Sequence, residues 1–138
     1  MAPRLSPYVS LPGTAREALA FYRSVLGGEV STSTFGEFGG GGAEGVDPDG
    51  VMHGQLDTPS GFTLMVSDAV AGTSPATGSN IALCLFGDDL EQLRGFFDGL
   101  AEGGEVTTPL EVQVWGDPYG ALTDRFGVDW MVNASTPA

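Results

Sequence analysis

Lysine is missing from this chain of 138 residues, and its five cations are all arginines, set against 18 acidic residues. That absence removes Schiff-base chemistry and the phosphate-gripping lysine of nucleotide sites. A net charge of −13 leaves no basic patch for nucleic acid and opposes binding to anionic membranes. The acids are dispersed rather than blocked, so they read as solubilising. Cysteine occurs once, as Cys84, which excludes a disulfide within the chain. It lies in the apolar run 81–86 and is expected to be a buried small hydrophobe. No apolar run approaches the ~18 residues that span a bilayer. No basic stretch followed by an apolar block opens the chain. A soluble, cytoplasmic protein is expected. Histidine also occurs once, as His53, so a metal site built on it needs carboxylates nearby.

What is present is a repeat. The stretch 119–132 restates 53–66 at one fixed offset: Gly54 meets Gly120, Leu56 meets Leu122, Gly61 meets Gly127, Met65 meets Met131 and Val66 meets Val132. Each copy reads as strand, tight turn and strand, so the chain is two half-modules. A second phrase, Gly-Gly-Glu-Val, recurs at 27–30 and 103–106. The two offsets differ because the glycine-rich stretch 36–50 has a shorter counterpart in the second half.

Taken in order, residues 5–11 predict a strand, and Thr14 with Glu17 predicts a capping box. Leu19, Tyr22, Val25 and Leu26 follow at helical spacing, and Gly27-Gly28 ends the helix. Residues 29–35 are rich in Val, Thr and Phe and read as a strand. The stretch 36–50 lacks the lysine of a phosphate loop and the acid spacing of a calcium loop, and is expected to be a surface loop or a lid. Strands follow at 51–57 and 62–67. Then the order restarts, with a strand at 80–86, a helix capped by Asp88 or Asp89 with Leu90, Leu93, Phe97 and Leu100 on one stripe, and a strand from Glu105. The reading is one α+β domain over 1–138, made of βαβββ modules at 5–67 and 80–133 joined by a linker at 68–79. Alternation puts Phe62, Leu64, Val66, Val128, Trp130 and Val132 under the helices, and Met65 and Met131 on the opposite faces. Asp124 belongs to a turn. There is no nucleophile elbow, dinucleotide fingerprint, Cys-x-x-Cys pair or zincin helix.

The phrases Arg16-Glu-Ala-Leu-Ala-Phe-Tyr22, Leu26-Gly-Gly-Glu-Val30, Met52-His-Gly-Gln-Leu56, Leu64-Met-Val-Ser-Asp68, Gly103-Gly-Glu-Val106, Trp115-Gly116 and Leu122-Thr-Asp-Arg-Phe-Gly-Val-Asp-Trp-Met-Val132 occur in order. In that order and spacing the chain resembles the vicinal-oxygen-chelate superfamily of glyoxalases, bleomycin-resistance proteins and dioxygenases. Within it, the chain looks like the PhnB-like branch, also labelled 3-demethylubiquinone methyltransferase-like. The resemblance implies a curved, half-open barrel, a small-molecule cup between the modules and a homodimer. It also implies a divalent metal on the first and last strands of each module. Carried over by position, those sites fall at Tyr8, Asn80, Met65 and Met131, which are poor donors for a hard or borderline ion. No cofactor is therefore expected, and no site for S-adenosylmethionine is recognisable.

The expected function is small-molecule binding in the cup, lined by Tyr8, His53, Gln55, Met65, Asn80, Trp115, Tyr119 and Met131, with Phe38 as a further aromatic wall. For His53 a structural role, ligand contact and a general base all stay open. Catalysis is left open. One rival is a metal-dependent lyase, isomerase or dioxygenase with displaced ligands, such as His53 with Glu37, Glu44 or Glu111. The other is a dimeric interaction module with no ligand.

Overall fold

The computed structural model describes residues 3–38, 48–69 and 80–135. They divide into two compact units, Met1–Pro75 and Ala76–Ala138. The first holds β1 (Tyr8–Leu11), α1 (Ala15–Leu26), β2 (Glu29–Thr34), a short 3-10 turn (Gly36–Phe38), β3 (Val51–Asp57) and β4 (Thr63–Asp68). The second holds β5 (Leu83–Gly87), α2 (Leu90–Ala101), β6 (Glu105–Val112), β7 (Pro118–Thr123) and β8 (Asp129–Ala134). Each unit is thus a βαβββ module, as the repeat predicts. Each sheet has four strands, in the orders β1-β4-β3-β2 and β5-β8-β7-β6. In both, the first and last strands of the module run parallel and the other neighbours antiparallel. Among the described residues no helix is long and apolar enough to cross a membrane.

Alternation decides which side chains meet the helix. Leu56, Leu64 and Val66 are buried beneath α1 with Leu19 and Tyr22, while Leu122, Trp130 and Val132 are buried with Leu93, Phe97 and Leu100 of α2. The repeated glycines allow this close packing. A Cβ on Gly54 would run into Leu19, and one on Gly120 into Phe97 and the backbone of Leu110. The repeated turn is likewise one geometry. Gly61 N–H donates to the Thr58 carbonyl and Gly127 N–H to the Asp124 carbonyl, each at 3.0 Å. Asp124 is buried, and its carboxylate accepts from Phe126 N–H, Val128 N–H and the Trp130 indole N–H.

Five expectations change. The first strand begins at Tyr8 rather than residue 5, and the fifth at Leu83 rather than Asn80, which sits in a bend before it. The capping box does not form, since Thr14 is the N-cap residue but makes no side-chain cap bond. Asp68 does the work from the end of β4, its Oδ1 accepting from Ala15 N–H at 2.8 Å and its Oδ2 from Val51 N–H at 2.9 Å. Cys84 is exposed, not buried, because alternation in β5 sends Leu83 and Leu85 to the helix side and Cys84 to the other. Residues 39–47 of the glycine-rich stretch and 70–79 of the expected linker lie outside the described residues. Asp68 belongs to β4 rather than to that linker.

Candidate functional site

Each sheet has one face under its helix and one free of it, and the register fixes what the helix-free faces carry. In the first module one row crosses all four strands: Ser31 of β2, Gln55 of β3, Met65 of β4 and Tyr8 of β1. His53 lies two residues before Gln55 on the same face, opposite Ser33. Its imidazole lies against the Tyr8 ring, with centroids 5.8 Å apart and planes 38° apart. Among the described residues it has no hydrogen-bond partner, so nothing there orients it as a general base. Tyr8 is half exposed, and His53, Gln55 and Met65 are half-buried.

The end of this face is closed by a hydrogen-bonded chain. Arg4 donates to Thr63 Oγ1 at 3.0 Å, and Thr63 Oγ1 donates to Asp57 Oδ1 at 2.8 Å. Gln55 Nε2 donates to both carboxylate oxygens of Asp57, at 3.0 and 3.1 Å. The bond from Thr63, then that from Gln55 and the nearby charge of Arg4, hold the Asp57 carboxyl below its ordinary range.

The second module repeats the geometry with different chemistry. Its corresponding row is Thr108, Ala121, Met131 and Cys84. Cys84 therefore holds the place that Tyr8 holds in the first module. The sequence reading put Asn80 there, and Asn80 is exposed ahead of β5. The displacement from Gly27 to Gly103 carries Tyr8 onto Cys84, and this signal marks the correct register. Desolvation pushes the Cys84 thiol up from its ordinary value, although the residue is exposed by surface area. The next row pairs Glu111 with Tyr119, Tyr119 with Asn133, and Asn133 with Phe86. Trp115 meets Tyr119 edge-on, with centroids 5.7 Å apart. Thr123 Oγ1 donates to Asp129 Oδ1 at 2.7 Å. This is the Thr63–Asp57 pair with the residues exchanged between strands.

The positions at which the resemblance places a metal carry a phenol, two thioethers and one thiol. A hard or borderline ion wants carboxylate or imidazole, and a single thiol beside a thioether, with its pKa raised, does not make up a set. Among the described residues no three His, Cys, Asp or Glu side chains come together as a ligand group. The residue types at these positions do not fit the superfamily metal. Of the displaced ligands considered, Glu37 is exposed on the 3-10 turn and Glu111 on β6, while Glu44 lies outside the described residues. Phe38 ends the 3-10 turn.

A family model described as "Glyoxalase/Bleomycin resistance protein/Dioxygenase superfamily" matches residues 4–132. Protein YjdN of Escherichia coli is 31% identical over 94% of this chain and 93% of its own. The crystal structure of protein PA1353 from Pseudomonas aeruginosa is 34% identical, covers 99% of this chain and 100% of its own, and has a TM-score of 0.84. A PhnB protein from Bacillus cereus covers 96% of this chain and 100% of its own with a TM-score of 0.77, and at 23% identity it speaks to the fold alone.

Proposed function

The chain belongs to the glyoxalase/bleomycin resistance protein/dioxygenase superfamily, and from that membership we propose that it binds a small, partly aromatic or amphipathic molecule without using the superfamily's metal. The observation that carries the proposal is the row register. Tyr8, Met65, Cys84 and Met131 stand where metal donors would be needed. Beside them the helix-free faces present two aromatic contacts, Tyr8 with His53 and Trp115 with Tyr119. Such faces suit planar or apolar ligand bodies, and the polar groups on the same face give orientation. His53, Gln55, Met65, Trp115, Tyr119 and Met131 remain the residues on which contact is proposed. Asn80 is proposed only as a rim residue.

A homodimer is part of the same proposal. Ile81, Phe86, Val112, Val114 and Trp115 of the second module are all more than half exposed, and covering some of them in a second copy is favourable. The cytoplasmic location expected from the sequence belongs to the proposal too.

The test joins metal analysis of the purified protein to thermal melts with nickel, zinc, manganese and iron(II), and to a small-molecule screen read by tryptophan fluorescence. Binding is supported by saturable quenching in protein free of stoichiometric metal. Stoichiometric metal, or a metal-induced rise in melting temperature that His53→Ala abolishes, overturns it in favour of a metal-dependent enzyme. A screen with no response favours an interaction module.

A further inference from the structure

The polarity of the chain from Arg4 to Gln55 is forced at both ends. A guanidinium only donates and a carboxylate only accepts. Arg4 therefore makes Thr63 Oγ1 an acceptor, the Thr63 hydroxyl spends its proton on Asp57 Oδ1, and Asp57 takes the amide nitrogen of Gln55. The amide of Gln55 has no choice of orientation, because its oxygen facing that carboxylate would be repelled. Its Oε1 is turned away from Asp57, and among the described residues no group donates to it.

The groups around that oxygen can accept hydrogen bonds, although the hydroxyls and the imidazole can donate as well. Gln55 is flanked across the strands by Ser31 and Met65, and Met65 by Tyr8. Hydroxyls, an imidazole and an amide oxygen accept hydrogen bonds, and a carboxylate stands two residues away. The guanidinium at this face, Arg4, is held at its end, on the far side of Thr63 and Asp57 from the Gln55 oxygen in the hydrogen-bonded chain. The three arginines of the first module bind Thr63 Oγ1, the Asp49 carbonyl and the Gly28 carbonyl.

Resting on the binding function proposed above, we infer that the helix-free face of the first module selects a protonated organic amine, whose N–H groups donate to Gln55 Oε1 while its body lies on Tyr8. Asp57 and Thr63 act as positioning residues through Gln55. A cation also gains from the electron-rich face of Tyr8, which is 53% exposed.

Benzylamine, protonated at neutral pH, and benzoate are matched probes with the same ring and opposite charge. Titrated into isotope-labelled protein, benzylamine is expected to shift the Gln55 side-chain amide and His53 ring signals saturably. Benzoate is expected to bind at least about tenfold more weakly, as loss of a charged hydrogen bond implies. Gln55→Leu keeps the bulk and removes the acceptor, so it should lose most of that preference. Asp57→Asn, which lets the amide turn over, should shrink the preference without abolishing contact with Tyr8. A single cooperative melting transition in each variant shows that it folds. Equal binding of the two probes, no response to benzylamine, or a preference that survives both substitutions overturns the inference. A hit from the fluorescence screen that leaves Gln55 and His53 unperturbed overturns it too, yet leaves the binding function standing.

Discussion

At the scale of single residues, two carboxylates do opposite jobs. Asp124 is buried and holds the last turn and the Trp130 indole together. Its replacement by alanine leaves a buried indole N–H without this acceptor. Asp124→Ala should cost about 3 kcal/mol, since each orphaned buried donor costs roughly 1–3 kcal/mol, and urea unfolding of the variant measures it. Asp57 is exposed and its role is orientation. Because hydrogen bonds from Thr63 and Gln55 lower its pKa, the folded state favours its ionised form. The associated stability is present above the unfolded-state value and is lost as pH falls through the lower folded value. In Thr63→Val, NMR titration should find the Asp57 pKa closer to its ordinary value, and the difference in stability from the parent should shrink as Asp57 protonates at acid pH. An unmoved Asp57 pKa would show that Thr63 is not its principal partner.

Helices, hairpins and the module repeat are legible from periodicity and from the fixed offset between copies. What is not legible at the scale of elements has a common cause, a partner distant in sequence. The capping box at Thr14 and Glu17 is a local pattern, whereas Asp68 reaches Ala15 from 53 residues away. Asp68→Ala should therefore lower stability by about 1–2 kcal/mol, in the range of a lost helix cap, while Thr14→Ala should change little. Thermal melts of the pair decide the matter, and equal losses would reinstate Thr14. The start of β5 is hidden for another reason. Residues 81–86 are almost continuously apolar, so alternation says little about which side chains face the helix. That is why Cys84 reads as buried and Asn80 as the counterpart of Tyr8. The matching places of Met65 and Met131 on the helix-free faces are legible because both lie in strands with clear alternation. The Arg4–Thr63–Asp57–Gln55 chain is not, because it depends on the ends of β3 and β4 meeting the segment ahead of β1.

For the whole molecule, the two modules share a scaffold and differ in the faces their helices leave free. Glycines, turn bonds and the buried leucines recur, but Gln55 becomes Ala121, His53 becomes Tyr119 and Tyr8 becomes Cys84. The net charge of −13 acts on both, drawing cations from beyond contact distance until salt screens it. Affinity for benzylamine should fall as sodium chloride is raised, whereas affinity for uncharged benzyl alcohol should stay constant. The same NMR titration reads both, and parallel behaviour of the two probes would remove charge from the account. Light scattering tests the dimer, and a monomer at high protein concentration would rule it out.

The placement of Cys84 gives the protein a built-in reporter. One thiol, exposed in the same row as Met131, is a unique attachment point for a fluorophore or spin label. A chain without lysine adds little background from side-chain amines. Because desolvation raises its pKa, alkylation by iodoacetamide should be slow at neutral pH and accelerate as the thiolate forms at higher pH. A tag there would watch the second module while unlabelled His53 and Gln55 watch the first, so occupancy of each half can be followed separately in one unmutated molecule.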